Sequence, residues 1–234
     1  MCGRYSLSTS PEDIVNEFSD EINFLGLEEL NSSYDWQPRF NIAPSQYSLV
    51  AAEPENTPQL ALMRWGLVPH WAKDEKIGYK MINARAETVA EKPAFRGAFR
   101  HKRCVVFATG YYEWVKQDGA KQAIYITPKN NHTIGFAGLW EQWFSPDQSP
   151  LLSYTVITTT ASADMESLHH RMPVVLSPNN FGTWLTSNTD TKDALALLRP
   201  SPSDTFSVTP VSNYVNSPRN EGPKCIQALP NQAQ

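Results

Sequence analysis

The chain has 234 residues, 41% hydrophobic and 19% charged, with a formal net charge of −4. That length and apolar content are enough to bury a full core, and the charge argues against a general nucleic-acid coat. No run reaches the ~18–20 apolar residues of a membrane span, and the first residues lack the basic-then-apolar profile of a signal peptide.

Met1-Cys2-Gly3-Arg4-Tyr5 opens the chain. Removal of Met1, expected ahead of a small residue, leaves Cys2 with a thiol and a free α-amine on adjacent carbons. The amine, with an ordinary pKa of about 7.7–8.0, keeps a neutral fraction that condenses with carbonyls. The thiol then closes on the imine as a five-membered thiazolidine, or acts alone as an acyl-transfer nucleophile. An accidental cysteine at position two is the bland alternative. Next, Ser10-Pro11-Glu12-Asp13 reads as a helix start, with Ile14, Val15 and Phe18 as its apolar face. Residues 25–45 are polar and proline-bearing and read as a loop ending at Asn41-Ile42-Ala43-Pro44.

Strand-length apolar runs follow at Ser48–Ala52, Leu60–Trp65, Lys80–Asn83, Cys104–Ala108, Tyr111–Val115, Ala123–Ile126, Ile134–Leu139 and Tyr154–Thr158. Helices are expected at Asn179–Leu185 and Thr191–Leu198, and residues 199–224 read as an extended surface tail. No repeat or linker divides the chain, so one α+β domain is expected. Three cysteines (Cys2, Cys104, Cys225) without metal-ligand spacing fit a reducing, cytosolic setting and no metal or cofactor; Cys104 reads as a core residue.

Charge is unevenly distributed. From Arg64 to Arg103 ten Lys/Arg stand against Asp74, Glu75, Glu87 and Glu91, a balance of +6, while the remainder is −10. This supports either a basic patch for phosphates or a solvated mixed surface. Arg96, Arg100, His101, Lys102 and Arg103 are its densest cluster.

Three further constellations carry chemistry. In Met81-Ile82-Asn83-Ala84-Arg85-Ala86-Glu87, Asn83 and Arg85 share one side of an extended chain and suit a sugar hydroxyl and a phosphate, or else a surface ion pair. In Gly110-Tyr111-Tyr112-Glu113-Trp114 a carboxylate lies among aromatics, where burial raises its pKa toward acid–base use; strand alternation alternatively turns Glu113 to solvent. In Leu168-His169-His170-Arg171-Met172-Pro173, His169 is a proton-transfer candidate or a structural histidine.

Together with Asn41-Ile42-Ala43-Pro44, Arg64-Trp65-Gly66-Leu67-Val68-Pro69, Val211-Ser212 and Val215-Asn216, these motifs resemble in content and order the SOS response-associated peptidase (SRAP) family, from residue 2 to about 224. The resemblance implies a single domain over 1–234 with a mostly antiparallel, barrel-like β core and a few peripheral helices. It implies recognition of abasic sites in single-stranded DNA and a thiazolidine DNA–protein crosslink through Cys2, shielding the lesion. Asn83 would hold the N-terminus and opened sugar, Glu113 would assist proton transfers, and His169 would help open the sugar. Arg4 and Arg85 would grip phosphates and Trp71 would stack on or wedge beside a base, with Asn41, Pro44 and Arg171 completing the DNA contacts. Self-removal of Met1 and weak lyase activity are compatible with this. A monomer is expected, with no membrane association, in the cytoplasm at the nucleoid or in a nucleus. Some family members carry two consecutive tryptophans where this chain reads Pro69-His70-Trp71-Ala72, so one platform is missing or replaced by His70.

Other classes stay open on sequence alone. An N-terminal-nucleophile amidohydrolase would use Cys2 with its own amine as base, but would leave the His169–Pro173 motif without a task. A general endopeptidase would need an oxyanion hole. A passive single-strand binder would be salt-reversible and indifferent to Cys2.

Overall fold

The computed structural model describes residues 2–54, 57–117 and 119–230. The first elements are strand β1 (Tyr5–Leu7), helices α1 (Pro11–Glu17) and α2 (Leu27–Ser33), and strands β2 (Arg39–Ile42), β3 (Tyr47–Ala52), β4 (Gln59–Trp65) and β5 (Asn83–Arg85). Helix α3 (Arg96–His101) leads into β6 (Arg103–Ala108), β7 (Gly110–Gln117), β8 (Ala120–Pro128), β9 (Ile134–Phe144) and β10 (Pro150–Thr160). After β11 (Arg171–Pro173) and β12 (Val175–Leu176) come α4 (Phe181–Leu185), α5 (Thr191–Ala196) and β13 (Phe206–Pro210). No helix is long and apolar enough to cross a membrane among the described residues.

Strands β10, β4, β3, β6 and β9 close into a five-stranded barrel, because β9 pairs with both β6 and β10. Among the strand pairings of the described residues, β4–β10 and β5–β10 are parallel and the rest antiparallel; one isolated parallel bridge joins Leu25 to Gln59. A second sheet runs β13-β8-β7-β1-β2. The α+β class with a mostly antiparallel, barrel-like core is thus the observed architecture. Closure is tight where glycine lets strands meet: a Cβ on Gly138 would lie 2.8 Å from Cys104 Sγ.

Alternation along β7 and β8 shows why the second sheet is buried on both faces. Tyr111, Ile124 and Ile126 join the main core, while Tyr112, Ala123 and Tyr125 join a smaller cluster with Val211, Val215 and Cys225. The C-terminal segment supplies that second cover. Residues 199–224 are therefore no surface tail: β13 pairs with β8, and Val211 and Val215 are fully buried. Only Phe206 of β13 is buried, so an edge strand of this kind shows almost no alternation in sequence.

The stretch 25–45 is likewise no loop. It holds α2, capped by Gly26 at φ +82°, and β2, whose polar Arg39 and Asn41 disguise an edge strand paired with β1. The run Lys80–Asn83 is displaced: a 3₁₀ turn spans Glu75–Lys80 and the strand starts only at Asn83. Helix α1 starts as read, with Ser10 Oγ accepting from Asp13 N. The late helices begin with a 3₁₀ turn at Pro178–Asn180 and end at Ala196.

Candidate active site around Cys2

Strand β1 enters the protein between β2 and β7, and the pairing continues one residue further toward the N-terminus through Tyr112 N, which donates to Arg4 O at 2.9 Å. This draws Cys2 inward until it is fully buried. Asn83, leading β5, donates from Nδ2 to Cys2 O at 2.8 Å, and its Oδ1 is buried without a hydrogen-bond partner. That acceptor is unspent beside the residue that would carry the reacting groups. Met1 lies outside the described residues, so its removal remains part of the proposal below.

Glu113 faces the main core, on the same side of β7 as Tyr111, and is 6% exposed. The solvent-facing alternative therefore fails, because the C-terminal segment covers the other face. Burial pushes its carboxyl from 4.5 up to about 7. The same enclosure pushes the Cys2 thiol well above its ordinary value, with the Glu113 charge adding to the effect. Cys2 at rest is thus a thiol, beside a carboxyl poised to take or give a proton at neutral pH. Tyr111, two residues before Glu113, has a buried hydroxyl without a partner and is raised by burial first, then by Cys2 and Glu113. Its place in the site was not read from sequence; i, i+2 spacing on one strand was the available signal.

β10 assembles the rest. Thr158 pairs with Arg85 of β5 on one side and Pro173 of β11 on the other, so the asparagine and histidine motifs flank one strand. Arg171 ties them together: Nη1 and Nη2 meet Glu87 Oε1 and Oε2 at 2.6 and 3.0 Å, and Nη2 also donates to Thr158 O. The fork-to-carboxylate contact holds the Glu87 pKa down. His169 Nδ1 lies against the Arg171 backbone, 2.9 Å from its N and 3.2 Å from its carbonyl oxygen, which fixes the ring beside the clamp. Burial lowers the His169 pKa, and His170 stacks on it with centroids 4.3 Å apart.

Several residues expected at the DNA are engaged in internal contacts. Asn41 is fully buried; its Nδ2 donates to the carbonyls of Val215, Ser217 and Asn220, and its Oδ1 accepts from Arg4 Nη1 at 2.6 Å. Its amide is consumed, so it positions Arg4. Arg4 Nη1 also donates to Val215 O, and its guanidinium lies 5.6 Å from the Trp114 ring centroid. Trp114 Nε1 in turn donates to Asn216, which explains the Val215-Asn216 motif as a brace for the N-terminal strand. Arg171, committed to Glu87 and Thr158, is a clamp with 10% of its side chain exposed. Arg103 is buried against the carbonyls of Phe99, Arg100, Trp184 and Thr186, which removes it from the phosphate cluster. Pro44 is half-buried.

Two expected contacts are outward. Arg85 is exposed and lines, with Thr160, Glu166, His170 and Arg171, a cavity of about 350 Å³. Trp71 is 52% exposed. Its loop is anchored by Trp143 Nε1 donating to Ala72 O and by the buried Glu141, whose two oxygens take His70 Nδ1 and Lys102 Nζ. His70 is therefore an anchor of the loop. No group of three or more His, Cys, Asp or Glu residues suited to a metal occurs among the described residues.

A buried cysteine at position 2, held by an asparagine and adjoined by a near-neutral carboxyl, makes a candidate reactive site on a small β-barrel. The family described as SOS response associated peptidase (SRAP) matches residues 1–218. The chain belongs to that family. It is 41% identical over 230 residues to abasic site processing protein YoqW of Bacillus subtilis, covering 97% of this chain and 100% of that one. It is 33% identical over 265 residues to abasic site processing protein HMCES of Xenopus tropicalis, covering 98% and 78% respectively. In fold it matches a crystal structure of a Bacteroides thetaiotaomicron protein, with TM-score 0.84 and 24% identity over 97% of this chain and 100% of that chain.

Proposed function

We propose that this protein captures abasic sites in single-stranded DNA as a covalent thiazolidine through Cys2, after Met1 is released. The observation that carries the reading is the Asn83 grip on Cys2 beside a carboxyl raised to about 7. The names of the relatives given above support the substrate.

An abasic deoxyribose is mostly a closed hemiacetal. Opening it takes a base for the anomeric hydroxyl proton and an acid for the ring oxygen; Glu113 and His169 take these parts. The Cys2 amine adds to the aldehyde and expels one water to give an imine. The thiol sulfur then bonds to the imine carbon, the C=N pair moves to nitrogen, and the thiol proton ends on that nitrogen. No net proton is needed, which suits a buried thiol that is protonated at rest. Holding amine and aldehyde together contributes up to about 7–11 kcal/mol of the barrier in ideal geometry. Arg85 is the cation best placed for a flanking phosphate, and Trp71 the exposed ring for a base.

Met1 release by Cys2, Glu113 and His169, and slow β-elimination from the imine as weak lyase activity, belong to the same proposal. The test is a denaturing gel with three oligonucleotides: abasic, intact, and abasic with its sugar reduced. A shifted band with the first alone is expected. Equal shifts with all three, or none, would overturn the reading. Asn83→Ala should slow crosslinking by about 10–100-fold through loss of placement, while stability falls by about 1 kcal/mol. Single-turnover rates with a thermal melt check this pair of values.

A further inference from the structure

Residues 72–80 take no part in the chemistry above, yet they are firmly seated. Gly66 adopts φ +117°, and a Cβ there would lie 2.6 Å from Gly78 O; a Cβ on Gly78 would meet Gly66 O at the same distance. Glycine at both positions allows this contact of backbone on backbone. Leu67 N donates to Met81 O, and Asp74 caps the 3₁₀ turn through Lys76 N. The turn therefore holds Tyr79 in a set place with 59% of it exposed. The Arg64 guanidinium lies 5.6 Å from the Tyr79 ring centroid. Tyr47, 50% exposed, is directly opposite Arg64 across the β3–β4 ladder. Arg64 is itself 8% exposed and its Nη1 has no hydrogen-bond partner; Glu75 approaches Nη1 at 3.7 Å from an exposed side chain.

We propose that Tyr47, Arg64 and Tyr79 form a stacking platform for bases of the single-stranded DNA flanking the abasic nucleotide. This rests on the abasic-site reading. Two exposed rings beside a largely buried guanidinium suit π-faced, polyanionic ligands: bases stack on the rings, and the positive charge beneath favours an anionic strand. Lys73, Lys76 and Lys80 of the same segment are exposed, as are Asp74 and Glu75. Tyr79 is four residues from Asn83, so at most about 14 Å of chain separates them. That is about four stacked nucleotides at a rise of roughly 3.4 Å each. Bases paired in a duplex present no free face to the rings, so the platform selects single strand.

The test uses full-length protein and fluorescence anisotropy with reduced abasic oligonucleotides, which bind without reacting. One carries long flanks on both sides; two others are truncated to a single nucleotide on one side or the other. Wild-type should gain affinity from one flank in particular. In Tyr79→Ala and Tyr47→Ala that gain should shrink by about 5- to 100-fold, and Tyr79→Phe should restore it. Equal flank gains in wild-type and Tyr79→Ala would overturn the platform, as would an equal loss on every oligonucleotide. Wild-type crosslinking of an unreduced abasic oligonucleotide is run alongside. Its absence overturns the abasic-site reading, whereas its presence with unaltered flank gains overturns the platform alone.

Discussion

Cys2→Ala should abolish the heat-stable complex with an abasic oligonucleotide while leaving weak strand cleavage. Prepared with Met1 removed by an added aminopeptidase, the variant keeps the α-amine, so an imine still forms, but no sulfur is present to close the ring. The imine then either hydrolyses or loses the 3′ phosphate by β-elimination. Stable adduct should fall below detection, at least 10³-fold, and cleaved product should rise. The substitution removes one buried sulfur from a fully enclosed position, so stability should fall by about 1–2 kcal/mol. A folded Cys2→Ala protein that still gives a durable adduct would place the nucleophile elsewhere.

Glu113→Gln should slow crosslinking by about 10²–10⁴-fold, the usual worth of a placed acid–base group. It should also flatten the pH profile. Wild-type has a carboxyl near 7, acid below that pH and base above it, so its rate should bend there; the amide has nothing to titrate. Stability follows the same group with a definite sign. The folded value of about 7 lies above the ordinary 4.5, so the folded state holds the proton more tightly. Its contribution is full below 4.5 and is lost as pH rises through about 7. The loss is of order 3 kcal/mol. Wild-type melting should therefore fall relative to Glu113→Gln between pH 4.5 and 8, as differential scanning calorimetry would read.

The central strands of the barrel were legible because they are buried on both faces and carry continuous apolar runs, as at Cys104–Ala108. The edge strands were not. Arg39–Ile42 and Phe206–Pro210 each show mixed burial, so neither alternation nor apolar run marks them. The candidate site divides in the same way. Cys2, Asn83, Glu113 and His169 stood out as residue types whose chemistry is costly or rare in their local setting. The braces did not, because an arginine that holds a carbonyl and one that grips a phosphate look alike in sequence. Arg103, Arg4 and Arg171 were distinguished only by what surrounds them: buried carbonyls, the Asn41 amide and the Glu87 carboxylate. The second face of β7 depended on contact between residues about 100 apart, Trp114 and Asn216, which no local pattern encodes.

The most direct test of covalent capture is the intact mass of the adduct, before and after borohydride. The account predicts the mass of the protein without Met1 plus the whole oligonucleotide minus one water, unchanged by reduction because a thiazolidine has no C=N bond to accept hydride. An adduct that retains Met1, or that gains two hydrogens on reduction as a trapped imine would, contradicts the aminothiol mechanism.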